Sequence, residues 1–199
     1  GNLGILLPMI TSLDEVDEAR RLIDRARQEV EEELGYAIPL PRIGVMIEVP
    51  SMIFMLPQLK GRVDFISVGS NDLTQYLLAV DRNNTRVAGL YDCLHPAMLR
   101  ALHAIAQTAT ALDIELGLCG EMAGDPMCVA LLTGMGYRHL SMNGRSVARV
   151  KYLLRHIDYA DACDLAQRCL QLQMSAEVRH QVAAFMERRG MGGLIRGGR

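Results

Sequence analysis

Several things are missing from this sequence, and each omission narrows what the chain can be. Its 199 residues contain five cysteines, at 93, 119, 128, 163 and 169, but no Cys-x-x-Cys pair. An odd number of unpaired thiols in a chain large enough to form its own core predicts reduced cysteines and a cytoplasmic location, not a disulfide scaffold. Neither sign of charge prevails: 21 Lys and Arg stand against 23 Asp and Glu. A global field for nucleic acid is thereby excluded, and any anion site must be built from a few local groups. No apolar run reaches the roughly 18 to 20 residues that span a bilayer, and no basic segment precedes the opening GNLGILLPMI, so neither a membrane span nor a leader is expected. The opening also lacks an initiator Met and enters an apolar strand almost at once, which predicts a fragment of a longer chain.

What is present is a rhythm. Half of the residues are hydrophobic, enough for one substantial core, and they fall into five short apolar runs: 4–10, 43–49, 63–69, 114–120 and 138–143. Helical segments separate them. In the first, Ser12 and Glu15 have capping-box spacing, and Val16, Ala19, Leu22 or Ile23, Ala26 and Val30 recur at steps of three and four up to a stop at Gly35. A Pro50-led helical stretch extends to about Leu59, and three more helical stretches follow Lys151 as far as Arg189. Residues 190–199, rich in glycine, are expected to be a mobile tail at the natural C-terminus of a single domain.

Uniformly apolar strands alternating with helices imply a parallel sheet covered by helices. A doubly wound sheet usually carries a GxGxxG turn, which is absent here. A (β/α)8 barrel instead places polar residues at the C-terminal ends of many strands. That second pattern is present: the runs end in Glu48, in Ser70-Asn71-Asp72, in Cys119-Gly120-Glu121 and in Met142-Asn143-Gly144. A full barrel needs about 250 residues, so the reading is α/β, the later five strands of a TIM-type barrel with extra C-terminal helices.

The strand ends hold the candidate chemistry. Glu48 at the end of a buried strand needs a cation or a proton, and an ordinary buried salt bridge is one way to satisfy it. Asp72 adds a second carboxylate on the next strand; two such oxygens, with waters and a phosphate, suit Mg²⁺. Asn71 and Asp72 are equally suited to cap the helix that begins near Leu73. Arg82, in AVDRNN, reads either as an anion contact or as a solvated side chain. Cys119 alone among the thiols lies at a strand end between small neighbours, where Glu48 and Asp72 would keep it protonated, a proton donor more than a nucleophile. Cys93, Cys128, Cys163 and Cys169 read as inert core thiols, and Asp125 as part of a helix start at Pro126.

IEVPS, DFISVGSNDLTQYLLAVDR and LCGEMAGDP, in this order and spacing, resemble the C-terminal phosphoenolpyruvate-binding barrel of Enzyme I of the bacterial phosphotransferase systems. RIGVMIEVPSMIFMLP, YDCLHPAMLRAL, GYRHLSMNGRSVARVKYLLR and VAAFMERRGMGGLIRGG are similar to the nitrogen-related Enzyme I. Pyruvate phosphate dikinase and phosphoenolpyruvate synthase resemble the chain around the SVGSNDLTQ segment, and less well elsewhere. The resemblance implies that Glu48 and Asp72 hold Mg²⁺, that Asn71, Asp72 and Arg82 contact phosphoenolpyruvate, and that Cys119 protonates the enolpyruvate carbon. It further implies a homodimer and a histidine-containing phosphocarrier protein as partner. The phosphorylatable histidine and two early-strand arginines of that family lie outside these residues. None of the five histidines has the acceptor's context; His95, in CLHPAM, reads as a helix start. An incomplete site leaves two other readings open, a dikinase-type fragment and a non-catalytic dimerisation module.

Overall fold

The computed structural model describes residues 3–196. Five parallel strands form one sheet whose spatial order is the chain order: β1 (Gly4–Leu7), β2 (Arg42–Ile47), β3 (Phe65–Gly69), β4 (Glu115–Cys119) and β5 (His139–Ser141). The register runs from Ile5 opposite Ile43, through Val45 opposite Ile66, to Gly69 opposite Cys119 and Cys119 opposite Ser141. Four of the strands end one to three residues earlier than their apolar runs, and β3 ends with its run at Gly69. Met9 marks the exit after β1, with a left-handed φ of 55°.

The crossovers are α1 (Leu13–Leu34), α2 (Ser51–Met55) continued by a 3₁₀ turn at Leu56–Leu59, α3 (Ser70–Leu78) with α4 (Pro96–Leu112), and α5 (Pro126–Gly134). After β5 come α6 (Gly144–His156), α7 (Tyr159–Leu170), α8 (Ser175–Arg188) and the short α9 (Gly193–Arg196). The α1 start is the expected capping box, with the Thr11 and Ser12 amides donating to Glu15 Oε2 at 2.6 and 3.1 Å. Its apolar face is covered less than the periodicity predicts: Val16 is buried, yet Leu22 and Val30 are 43% and 42% exposed. Length is the reason. Twenty-two helical residues run about 33 Å, roughly twice the span of a five-residue strand, so the helix outruns the sheet it packs on.

Helix α5 is apolar on all sides, as a helix buried all round must be. It holds Cys128, Val129, Ala130, Leu131 and Leu132 within the core, packed chiefly against α7. The crossing with α7 is close enough that a Cβ on Gly134 would lie 2.0 Å from the Ala162 carbonyl oxygen. Of the stretch 190–199 expected to be mobile, Met191 is buried and α9 sets Leu194 and Ile195 against the core, so this part is docked; residues 197–199 lie outside the described residues. Among the described residues no helix is long and apolar enough to cross a membrane.

Candidate functional site

Parallel strands bring their C-terminal ends to one side, and there Glu48 follows β2, Asn71 and Asp72 follow β3, and Cys119 closes β4. Glu48 is 3% exposed. The Met9 amide donates to its Oε1 at 2.7 Å, a contact that the left-handed turn at Met9 makes possible. The expected bland partner is missing: among the described residues no Lys, Arg or His forms a salt bridge with Glu48 or Asp72. Glu48 instead faces Asp72. Burial first, and then the charge of Asp72, push the Glu48 carboxyl above the usual glutamate range, against the pull of the Met9 amide. Two carboxylates held together in this way want either a shared proton or a cation, so the donor set fits a hard divalent ion such as Mg²⁺.

Helix α3 begins at Ser70 with Gly69 as its N-cap, and neither Asn71 nor Asp72 caps it. Both side chains are therefore available for other contacts. Asn71 Oδ1 accepts from the Glu121 amide at 3.1 Å, which ties the turn after β3 to the turn after β4. Ser70 reinforces the tie, its hydroxyl donating to the Cys119 carbonyl at 2.8 Å. This closeness depends on Gly120, whose φ is 112° and whose absent Cβ would lie 2.4 Å from Ser70 Oγ. A second close approach occurs at Gly69, where a Cβ would meet Glu48 Oε2 at 2.4 Å.

The Cys119 thiol donates to the Val68 carbonyl at 3.5 Å. Burial pushes its pKa up, the charges of Glu48 and Asp72 add to the rise, and a hydrogen bond with Ser67 opposes it. The thiol is thus held in its protonated form. Arg82 reaches Glu121, Nη1 to Oε1 at 3.9 Å, and not the carboxylate pair; its side chain is 37% exposed and Glu121's is 83%. The predicted residues therefore gather in two groups: Glu48, Asp72 and Cys119 interact directly, while Asn71 and Arg82 are joined through Glu121. Beside them opens a cavity of about 1250 Å³ that shares Asn71, Gly120 and Glu121 with the site.

Sequence reasoning missed Met9 and Tyr91, and placed Ser70 at the strand end without giving it a role. Tyr91 is half-buried and its hydroxyl donates to the Asn71 carbonyl at 3.3 Å. Met9 and Tyr91 act on the site through backbone atoms, and no residue-type pattern announces that. His95 is the N-cap of α4, its Nδ1 accepting from the Ala97 amide at 3.1 Å, as its context predicted. Asp125 caps α5, accepting from the Met127 amide at 2.8 Å.

A parallel βα sheet with acidic, amide and thiol groups at its strand ends defines a barrel-type α/β domain. The model of the PEP-utilising enzyme, PEP-binding domain matches residues 1–159, and the chain belongs to that family. It is 78% identical over 198 residues to the "Phosphoenolpyruvate-dependent phosphotransferase system" proteins of Salmonella typhimurium and Escherichia coli, covering all of this chain and 26% of each relative. A phosphoenolpyruvate-protein phosphotransferase of Haloferax volcanii is 42% identical over 177 residues, 89% of this chain and 31% of the relative. The chain thus spans about a fifth to a third of the length of the curated relatives it matches. Among solved structures, a citrate lyase from Burkholderia xenovorans superposes with a TM-score of 0.55 at 18% identity, covering 94% of this chain and 64% of that one. A malate synthase of Haloferax volcanii gives 0.51 at 14% identity, with 97% and 66% covered. These two bear on the fold alone, and they support the partial barrel.

Proposed function

We propose that this chain is the phosphoenolpyruvate- and Mg²⁺-binding part of a phosphoenolpyruvate-protein phosphotransferase, the Enzyme I of the nitrogen branch. On this reading it works in the cytoplasm as a homodimer and passes the phosphoryl group through a histidine outside this chain to a histidine-containing phosphocarrier protein. The observation that carries the reading is the meeting of Glu48, Asp72 and a protonated Cys119 at one strand-end face, in a chain of the PEP-binding family.

Glu48 and Asp72 supply the oxygens that would hold Mg²⁺. The ion, when bound, offsets negative charge on the phosphate and on the developing enolate. Asn71 has its carbonyl oxygen committed to the Glu121 amide, so its NH₂ remains to donate to a substrate oxygen. Arg82 is only loosely held by an exposed Glu121 and can exchange that partner for the substrate's phosphate. As the phosphorus–oxygen bond to the enol oxygen breaks, the phosphoryl group goes to the acceptor nitrogen and an enolate remains. Its terminal carbon then takes the proton from Cys119 Sγ, giving pyruvate and a thiolate that solvent reprotonates.

In the full-length enzyme, Cys119→Ala should slow pyruvate formation by roughly 10² to 10⁴ while phosphoenolpyruvate still binds. Calorimetric titration with phosphoenolpyruvate, with and without Mg²⁺, checks the other half: binding should require the ion, and Glu48→Gln should remove that requirement together with most of the affinity. Near-normal turnover in the cysteine variant, or binding indifferent to Mg²⁺, would overturn the assignment.

A further inference from the structure

Three ligand-type side chains meet at a second place, away from the carboxylate pair. Cys93 lies on the segment between α3 and α4, and Cys128 in the first turn of α5. Their sulfurs are 3.5 Å apart despite 35 residues of intervening chain. Asp125, the N-cap of α5, brings a carboxylate oxygen so that all three donor atoms lie within 4.8 Å of one another. In a tetrahedral Zn²⁺ site with bonds of about 2.3 Å to sulfur, two thiolates stand about 3.8 Å apart, so only a small adjustment separates the observed spacing from a ligating one.

We propose that Cys93, Cys128 and Asp125 form a binding site for a thiophilic divalent cation of the Zn²⁺ class, with water from the adjoining cavity as the fourth ligand. Sulfur donors select such an ion over Mg²⁺ or Ca²⁺, which prefer all-oxygen shells. Asp125 uses Oδ1 to accept from the Met127 amide, which fixes the carboxylate and leaves its other oxygen to the ion, as supporting hydrogen bonds do in metal centres generally. Cys93 and Asp125 both line the cavity, so a route from solvent exists. The surrounding charge agrees: Asp92 and Asp125 both act on Cys93, and the nearby cation, Arg179, is tied to Asp92 through a bond of 2.5 Å. Without an ion, the bond between the sulfurs draws the Cys93 thiol down and, with burial, drives Cys128 well up. A cation bound there would displace the thiol protons.

The site would have a structural consequence. Tyr91, two residues before Cys93, holds the Asn71 carbonyl, so an ion at Cys93 would pin the segment that carries Arg82 and Tyr91 to the rigid helix α5. The proposal does not depend on phosphoenolpyruvate binding, and it can fail or succeed separately.

The test uses reduced, chelator-stripped full-length protein titrated with Cd²⁺ and with Zn²⁺ alone. One equivalent of Cd²⁺ should bind with a sulfur-to-metal charge-transfer band that is lost in Cys93→Ser and kept in Cys119→Ala. Zn²⁺ affinity should fall at least about tenfold in Cys93→Ser and also in Asp125→Asn, a variant that retains an N-cap side chain and hence the helix. Hydrogen exchange across residues 79–95 should slow when Zn²⁺ is added to the parent and not when it is added to Cys93→Ser. Binding that is equal in parent and Cys93→Ser, no stoichiometric binding, or isolation of the protein with a Cys93–Cys128 disulfide and no ion would each overturn the proposal.

Discussion

Glu48 carries the clearest pH signature in the molecule. Its folded-state pKa lies above the unfolded value, so the folded chain binds the extra proton more tightly. The stability that Glu48 contributes is then greatest below the ordinary glutamate pKa of about 4.3 and falls as pH rises from there through the raised one. Glu48→Gln should flatten this dependence and leave the ion-free chain more stable than the parent at neutral pH. Denaturant titrations from acid to neutral pH, without divalent ions, would show it; added Mg²⁺ should restore the parent alone. Gly120 makes an opposite case. Gly120→Ala places a side chain at φ 112° and against Ser70, at a cost of about 1 to 3 kcal/mol in backbone strain, and should separate the two turns that Asn71 bridges. A lowered Tm together with weakened phosphoenolpyruvate binding is the expected result. The residues that announced themselves in the sequence, Glu48, Asp72 and Cys119, did so because polar groups at the ends of apolar strands need a reason to be there. Ser70 stood in the same polar cluster but its partner was hidden, and Tyr91 gave no signal at all, since a hydroxyl bonded to a distant carbonyl is a tertiary event.

At the scale of elements, helix α5 sets propensity against packing. Alanine is the better helix former, and on an exposed helix Gly134→Ala would gain about 1 kcal/mol. Here the new methyl would fall 2.0 Å from a backbone carbonyl of α7, which cannot move aside as a side-chain tip can. We expect the substitution to lower Tm, with a net loss of about 1 to 3 kcal/mol, and Gly134→Ser to be worse. Calorimetric melting of both variants checks this, and a gain in stability would mean that α5 and α7 slide apart freely. All five strands were legible, since short apolar runs bounded by polar clusters leave few alternatives. The burial of α1 was overestimated because periodicity reports which side of a helix is apolar and not how far its neighbours extend. The docking of α9 was hidden by its glycines, whose composition resembles a loose tail while Leu194 and Ile195 pack inward.

Among the described residues the sheet has two terminal strands, β1 and β5, each paired on one side only. Unpaired edges and the apolar side chains beside them favour association with another chain. Light scattering of the isolated chain over a concentration series should therefore show self-association at tens of micromolar, and a stable monomer would argue against it. On the proposed reading the acceptor histidine lies outside this chain, so the isolated chain should also fail to release pyruvate from phosphoenolpyruvate, even with carrier protein added.

The order of the sheet has one more consequence, for the time course of synthesis. Each strand pairs with the one made just before it, so the growing edge is always the strand that left the ribosome last. Among the five described strands, pairing can follow the order of synthesis. Glu48, Asp72 and Cys119 all lie in the first 119 residues, and the turns that carry them can meet once β4 has been added. Helices α6 to α8 come afterwards and close over α5, so the nascent chain can assemble the chemistry of the site first and its outer cover second.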